Sequence, residues 1–170
     1  MTLLPALSIL ILALVALLPW GGGDTARFAA AMMPMLAIRY WAIRRPDHVP
    51  AALAFATGLL LDVVSYGPLG FWALIALAAL GLGRITVSLH HAPSLLWSAA
   101  SLVIASAVLA LLAWLVSSIY FSRPVPWQPT ALGALAAVAL SPLLNLLFDP
   151  LDRLWGGTRA GLFTRERLRP

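Results

Sequence analysis

The 170-residue sequence contains no cysteine, no lysine and only six acidic residues. Without cysteine, the chain has no disulfide framework, no thiolate metal site and no cysteine nucleophile. Charged residues make up 10% of the chain, whereas about a quarter of a soluble domain is charged. All eleven cations are arginine, which we interpret as codon bias, so the net charge of +5 does not indicate a nucleic-acid partner.

Apolar residues take the place of the missing charge, since 62% of positions are hydrophobic and the mean hydropathy is +0.94. They form six stretches near the ~20 residues that a helix needs to cross a ~30 Å hydrocarbon core. No basic residue precedes the first stretch, which disfavours a signal peptide. We therefore predict an all-α, polytopic membrane protein with about six transmembrane helices. The predicted spans are 3–20, 28–43, 49–66, 69–82, 94–120 and 129–148, in one transmembrane domain at 1–148 followed by a basic cytoplasmic tail at 149–170.

The arginines outside these spans predict the orientation. Cytoplasmic loops of membrane proteins carry an excess of Lys and Arg. If the N-terminus is cytoplasmic, the inward segments hold eight arginines and the outward loops hold two, so we expect both termini to be cytoplasmic. The inward arginines are Arg44, Arg45, Arg84, Arg153, Arg159, Arg165, Arg167 and Arg169, and the outward ones are Arg27 and Arg123.

Aromatic residues and the tail predict contacts with the membrane interface. Six aromatic residues fall near span ends, as in an interfacial belt: Trp20, Tyr40, Trp41, Trp97, Tyr120 and Trp127. In the tail, Asp149 and Pro150 suggest the start of a separate amphipathic helix, which Gly156-Gly157 would end. This helix could lie on anionic lipid or bind a cytoplasmic partner.

Asp62 is the one acid that we predict to lie inside the membrane. A carboxylate at the bilayer centre costs roughly 2.5–3.5 kcal/mol on insertion scales, so Asp62 should have a partner. We expect Arg39 to lie too near the cytoplasmic end of its span, and to extend to the surface instead. Pro68 suits the first position of the next helix, which would place the N–H groups of residues 69–71 opposite Asp62. Two roles stay open for Asp62: a structural lock between two helices, or a binding site for a solute or ion.

The sequence shows no arrangement typical of a catalytic site. An intramembrane aspartyl protease needs two membrane acids, and no phosphate-binding glycine loop is present. His48, His90 and His91 have no acidic neighbours at metal-ligand spacing. The serines of the fifth span are expected to bond to the backbone or across helices: Ser98, Ser101, Ser106, Ser117 and Ser118. We therefore expect no enzymatic activity, no bound metal and no cofactor.

Motifs between residues 34 and 74 resemble a known family. The most specific are Gly58-Leu59-Leu60-Leu61-Asp62 and, six residues later, Pro68-Leu69-Gly70. Around them stand Pro34, Tyr40-Trp41, Arg45-Pro46-Asp47, Phe55 and Ala73-Leu74. This pattern resembles the rod shape-determining membrane protein family MreD, as do the chain length, the number of spans and the basic C-terminus.

The resemblance implies a non-enzymatic part of the bacterial cell-elongation machinery in the inner membrane. Such a protein would contact MreC, and with it link MreB filaments to RodA and a class B penicillin-binding transpeptidase. The fold would be similar to the substrate-binding subunits of energy-coupling-factor transporters, which leaves open a small-solute binding or transport subunit. A membrane-packing protein with no part in elongation also stays open. The residues singled out as structural or functional candidates are Asp62, Pro68, Gly70, Gly58, Arg39, Tyr40, Trp41 and Pro46.

Overall fold

The computed structural model describes residues 3–19, 21, 23–65, 67–89 and 95–166, with side chains described up to 153 except at 89, 95 and 96. Trp20, His90, His91, Arg167 and Arg169, which the sequence analysis discussed, lie outside the described residues. All α-helices and the one short 3-10 helix of the described part follow in chain order. They are α1 (Leu3–Ala16), α2 (Gly23–Arg44), a 3-10 helix (Pro46–His48), α3 (Ala51–Ser65), α4 (Phe71–Leu89), α5 (Leu95–Tyr120) and α6 (Gln128–Glu166).

The helices confirm an all-α, polytopic membrane protein. Three segments are long and apolar enough to cross a bilayer by length and composition: Phe71–Ser88, Trp97–Tyr120 and Gln128–Arg153. Helices α1 and α3 are apolar but shorter, with 14 and 15 residues. Helix α2 has 22 residues but a lower mean hydropathy, because Asp24, Arg27, Arg39 and Arg44 lie within it.

The connections of the first four helices lie at two opposite ends. Residues of the α1–α2 connection line one cavity with Ser65 at the end of α3 and Trp72 at the start of α4, and we call this the turn end. At the other end, the Arg84 Nη2 of α4 donates to the carbonyl of Val49, just after the 3-10 helix, at 3.2 Å. Because Arg44, Arg45 and Arg84 are found there, we call it the arginine end.

Helices α1 and α2 are joined through a buried tryptophan. Trp41 is fully buried, and its Nε1 donates to Ser8 Oγ of α1 at 2.8 Å. The prediction that Trp41 belongs to an interfacial belt is therefore wrong, because its indole N–H finds a partner inside the protein and not at the lipid headgroups. Among the other expected belt residues, Trp97, Tyr120 and Trp127 have exposed side chains near helix ends.

Small residues let the helices of residues 1–139 approach closely. Gly83 of α4 faces α2, where a Cβ would lie 2.7 Å from Ala42 Cβ and 3.1 Å from the Arg39 carbonyl oxygen. A Cβ on Gly133 of α6 would lie 2.9 Å from Phe28 Cδ1 and from the Thr25 carbonyl oxygen of α2. Such contacts take the place of large side chains, as is common between membrane helices.

Residues 140–170 form a second compact unit, distinct from residues 1–139. The expectation that Asp149 begins a separate helix is wrong, because α6 runs through Asp149, Pro150, Gly156 and Gly157 to Glu166. A proline inside a helix removes one backbone hydrogen bond without necessarily ending the helix in a membrane protein. Pro34 in α2 and Pro142 in α6 also lie inside helices.

Candidate functional site

Asp62 lies one turn before the end of α3, with 1% of its surface exposed. Its two carboxylate oxygens accept three backbone hydrogen bonds from the following segment. Oδ1 accepts from the N–H of Trp72 at 2.7 Å, and Oδ2 accepts from Gly70 at 2.9 Å and Ala73 at 3.3 Å. The first N–H groups of a helix have no partner within the helix and carry partial positive charge. Asp62 therefore caps α4 from the neighbouring helix.

The structure corrects the position at which α4 begins. The helix starts at Phe71 and not at Pro68, because Gly70 adopts a left-handed φ of +93° that ends the turn. The carbonyl of Pro68 accepts from the N–H of Phe71 at 3.1 Å, which closes the turn. Of the three N–H groups expected opposite Asp62, only that of Gly70 bonds to it. The other two donors, Trp72 and Ala73, are the second and third residues of α4.

Gly58 brings α3 close enough for this bonding. It lies four residues before Asp62, on the same helix face, and is buried. A Cβ added to Gly58 would lie 2.5 Å from the N atom of Ala73 and 2.5 Å from the carbonyl oxygen of Trp72. Gly58 and Asp62 thus contact the same short piece of α4 backbone. We call this arrangement of Gly58, Asp62, Gly70, Trp72 and Ala73 the α3–α4 lock.

Arg39 is buried inside the protein, so the prediction that it extends to the surface is wrong. Its side chain is 5% exposed, and its Nη2 donates to Ser101 Oγ of α5 at 2.9 Å. The Nε is buried without a hydrogen-bond partner among the described residues. The close contact of Gly83 with the Arg39 backbone brings α4 against this part of α2. Arg39 therefore links α2 to α5 and is separate from the α3–α4 lock.

The remaining candidates lie towards the arginine end. Tyr40 packs edge-on against Trp41 with ring centroids 5.2 Å apart, and the Arg44 guanidinium lies 5.4 Å from the centre of the Tyr40 ring. Pro46 opens the 3-10 helix of the α2–α3 connection. The structure thus brings Gly58, Pro68 and Gly70 together with Asp62, but not Arg39, Tyr40, Trp41 or Pro46.

The serines of α5 behave in two ways. Ser101 accepts from Arg39 and donates to the Ser98 carbonyl at 2.9 Å, and Ser118 Oγ accepts from the N–H of Val125 at 3.3 Å. These contacts confirm the prediction that membrane serines bond to backbone or across helices. For Ser106 the prediction is wrong, because its buried hydroxyl has no partner among the described residues.

Sequence reasoning did not anticipate a cavity at the turn end. Its volume is about 510 Å³, and residues of α1, α2, α3 and α4 line it. Three of the twelve lining residues are polar or charged: Asp24, Arg27 and Ser65. Asp24 and Arg27 lie about one turn apart on α2. The sequence carries no signal of this cavity, because its walls come from four separate helices.

These features define an all-helical, multi-pass membrane protein whose intramembrane acid is bonded to its own backbone. The described residues hold no cluster of three or more His, Cys, Asp or Glu side chains that could bind a metal. The family profile described as rod shape-determining protein MreD matches residues 1–150. The chain therefore belongs to the MreD family of rod shape-determining membrane proteins. No curated protein and no solved structure matches the chain.

The α3–α4 lock predicts a difference between two substitutions of Asp62. Asp62→Leu removes both acceptor oxygens and leaves three N–H groups unpaired, at roughly 1–3 kcal/mol for each buried group. Asp62→Asn keeps one acceptor oxygen and nearly the same shape. We expect Asp62→Leu to lower the abundance and unfolding free energy in detergent far more than Asp62→Asn. An Asp62→Asn protein that is normally abundant but cannot replace the wild-type chain in cells would show instead that the charge itself is needed.

The contact between Arg39 and Ser101 predicts a coupling between the two positions. Ser101→Ala leaves a buried guanidinium unpaired, so the unfolding free energy should fall by roughly 1–3 kcal/mol. Arg39→Met removes the charge and should be near neutral, because apolar replacements of buried ions often are. In the Arg39→Met background, Ser101→Ala should therefore cost much less. Unfolding titrations of all four proteins test this coupling, and strictly additive effects would contradict it.

Proposed function

We propose that this chain is a non-enzymatic component of the bacterial cell-elongation machinery in the inner membrane. In this role it holds MreC, and through MreC it connects MreB filaments to RodA and a class B penicillin-binding transpeptidase. The observation that carries the proposal is the family match over residues 1–150. The α3–α4 lock supports the non-enzymatic part of this proposal. Three backbone N–H groups already bond to the carboxylate of Asp62, so this acid has a structural role.

The apolar surfaces of the long helices favour binding of partner proteins within the membrane. The long helices α4, α5 and α6 expose large apolar side chains on the described residues, among them Ile104, Leu111 and Leu135. Lateral contact between transmembrane helices needs close packing and a few hydrogen bonds rather than a soluble docking domain. A protein of this kind is suited to binding single-pass partners within the bilayer. With the arginine end inward, both termini would be cytoplasmic.

A small-solute binding or transport subunit is the second candidate. The cavity at the turn end favours it, since Asp24 and Arg27 offer groups of both signs beside the rings of Phe28 and Trp72. The rest of its lining is mostly apolar, which gives a solute few hydrogen-bonding groups. Solute sites generally combine an apolar wall with several placed polar groups, so this cavity is a weaker basis than the family match.

Depletion of the protein separates the two functions. If it belongs to the elongation machinery, depleted rods should become wide and round while nutrient uptake per unit of surface stays unchanged. Re-expression of the wild-type chain should restore the rod shape. Loss of uptake of one nutrient in cells of normal shape would support the transport function instead.

Co-purification tests the proposed partner in the same cells. MreC should co-purify with the tagged chain from mild detergent. An MreC variant carrying the transmembrane helix of an unrelated single-pass protein serves as the matched control and should be recovered much less. Failure to recover wild-type MreC from intact, co-expressed protein would contradict the proposal.

A further inference from the structure

Helices α5 and α6 enclose a groove that the described residues leave unfilled. Its volume is about 610 Å³, and it lies within residues 1–139. We call it the α5–α6 groove. Val103, Ser106, Ala107, Ala110, Leu111 and Trp114 form the α5 wall. Thr130, Ala131, Ala134, Leu135 and Val138 form the α6 wall, and Trp127 of the α5–α6 connection extends it at one end.

Each wall is one continuous helix face. On both helices each lining residue has another lining residue three or four positions away, the spacing that keeps side chains on one side of an α-helix. The α5 wall covers eleven residue steps, or about 16 Å at 1.5 Å per residue, and the α6 wall covers eight, or about 12 Å. The middle of each wall is made of small residues, which is typical of surfaces where another membrane helix packs closely. Both walls are therefore of the kind against which another membrane helix packs.

Ser106 indicates that the occupant carries a hydrogen-bonding group. It is 1% exposed, lines the groove, and its hydroxyl has no partner among the described residues. Elsewhere in the chain, helical hydroxyls bond to the carbonyl four residues back, as Thr57 does to Leu53 at 2.8 Å and Thr86 to Leu82 at 2.7 Å. A buried hydroxyl without a partner is costly, so Ser106 is suited to a partner outside this chain.

One end of the groove is held in place by the α5–α6 connection. The Trp114 Nε1 donates to the Val125 carbonyl at 2.8 Å, and the N–H of Val125 donates to Ser118 Oγ at 3.3 Å. These bonds tie the connection to the last turns of α5, beside the exposed Trp127. The walls therefore keep their separation at this end, and an occupant would enter laterally from the bilayer.

We infer that the α5–α6 groove binds one transmembrane helix of a partner chain, whose small residues face the groove and whose polar side chain bonds to Ser106. Two helical walls, about three turns long on α5 and two turns long on α6, fit another helix lying along them. A lipid acyl chain would fill apolar space but has no group to bond to a hydroxyl in mid-membrane. The inference rests on the proposed function for its candidate partner, the transmembrane helix of MreC, and adds the surface that binds it.

Site-specific cross-linking tests the location, because the native chain has no cysteine that would interfere. Single cysteines replace Ala107 and Ala131 in the groove, and Val108 and Ala139 as matched controls. The control residues are exposed on the same two helices and do not line the groove. Each variant is co-expressed with MreC carrying a single cysteine at successive positions of its transmembrane helix. Groove positions should form disulfides with helical periodicity, at least roughly tenfold above the controls.

Substitutions that fill or alter the groove give a second readout. Ala107→Leu and Ala131→Leu should reduce co-purified MreC at least roughly tenfold, whereas Val108→Leu and Ala139→Leu should not. Ser106→Ala should reduce it roughly three- to tenfold, as expected for loss of one hydrogen bond between helices. The abundance of each variant, measured without MreC, shows that it still folds.

The outcomes distinguish this inference from the proposed function. Cross-links at Val108 or Ala139 alone, with MreC still co-purifying, would overturn the groove and leave the function standing. Cross-links between two copies of this chain would make the occupant a second copy and overturn the inference. So would native mass spectrometry that finds a bound lipid displaced by Ala107→Leu while MreC binding is unchanged. Absence of MreC with the wild-type chain would overturn the proposed function and, with it, the assigned occupant.

Discussion

The fold depends on how a single carboxylate is accommodated inside the membrane. Asp62 accepts hydrogen bonds from Gly70, Trp72 and Ala73, and so satisfies donors that the start of α4 would otherwise leave unpaired. The same contact needs the backbones of α3 and α4 close together, which Gly58 permits. Acid, glycine and turn therefore work as one unit: the charge is stabilised by the helix start, and the helix start by the charge.

Much of the α3–α4 hairpin could be predicted from the sequence. A lone acid in an apolar helix, followed by a Pro-Leu-Gly turn, is a local pattern, and local patterns determine which groups face each other across a short connection. The error over where α4 begins is also local. Pro68 suits a first helical position, but Gly70 takes the left-handed conformation two residues later, so the helix starts after it. A change in backbone direction at one glycine shifted the bonded N–H groups by one or two residues.

The failures elsewhere come from contacts between residues distant in the sequence. Arg39 and Trp41 look like residues that reach the membrane surface, because their sequence neighbourhood shows only their distance from a span end. Their burial depends on hydroxyls far along the chain, Ser101 for Arg39 and Ser8 for Trp41. No periodicity within one helix reveals such pairings. The empty α5–α6 groove and the cavity at the turn end are likewise products of how separate helices pack.

Most of the few intramembrane polar side chains bond to other parts of the same chain. Asp62 caps α4, Arg39 joins α2 to α5, and Trp41 joins α1 to α2. Ser106 is the exception among the described residues of α5, and it lines the apolar α5–α6 groove. A bundle that satisfies most of its intramembrane polar groups internally and has apolar outer faces is what a rod shape-determining membrane protein needs if it acts by binding other membrane helices.

Amide hydrogen exchange tests the central claim most directly, because it reports on the N–H groups that Asp62 binds. The N–H of Phe71 is an internal reference, since it bonds to Pro68 and not to Asp62. In the wild-type protein, Trp72 and Ala73 should exchange slowly. In Asp62→Leu they should exchange roughly tenfold faster relative to Phe71, as expected for the loss of a hydrogen bond to a charged group. Equal relative rates in the two proteins would contradict the claim that the carboxylate of Asp62 holds the start of α4.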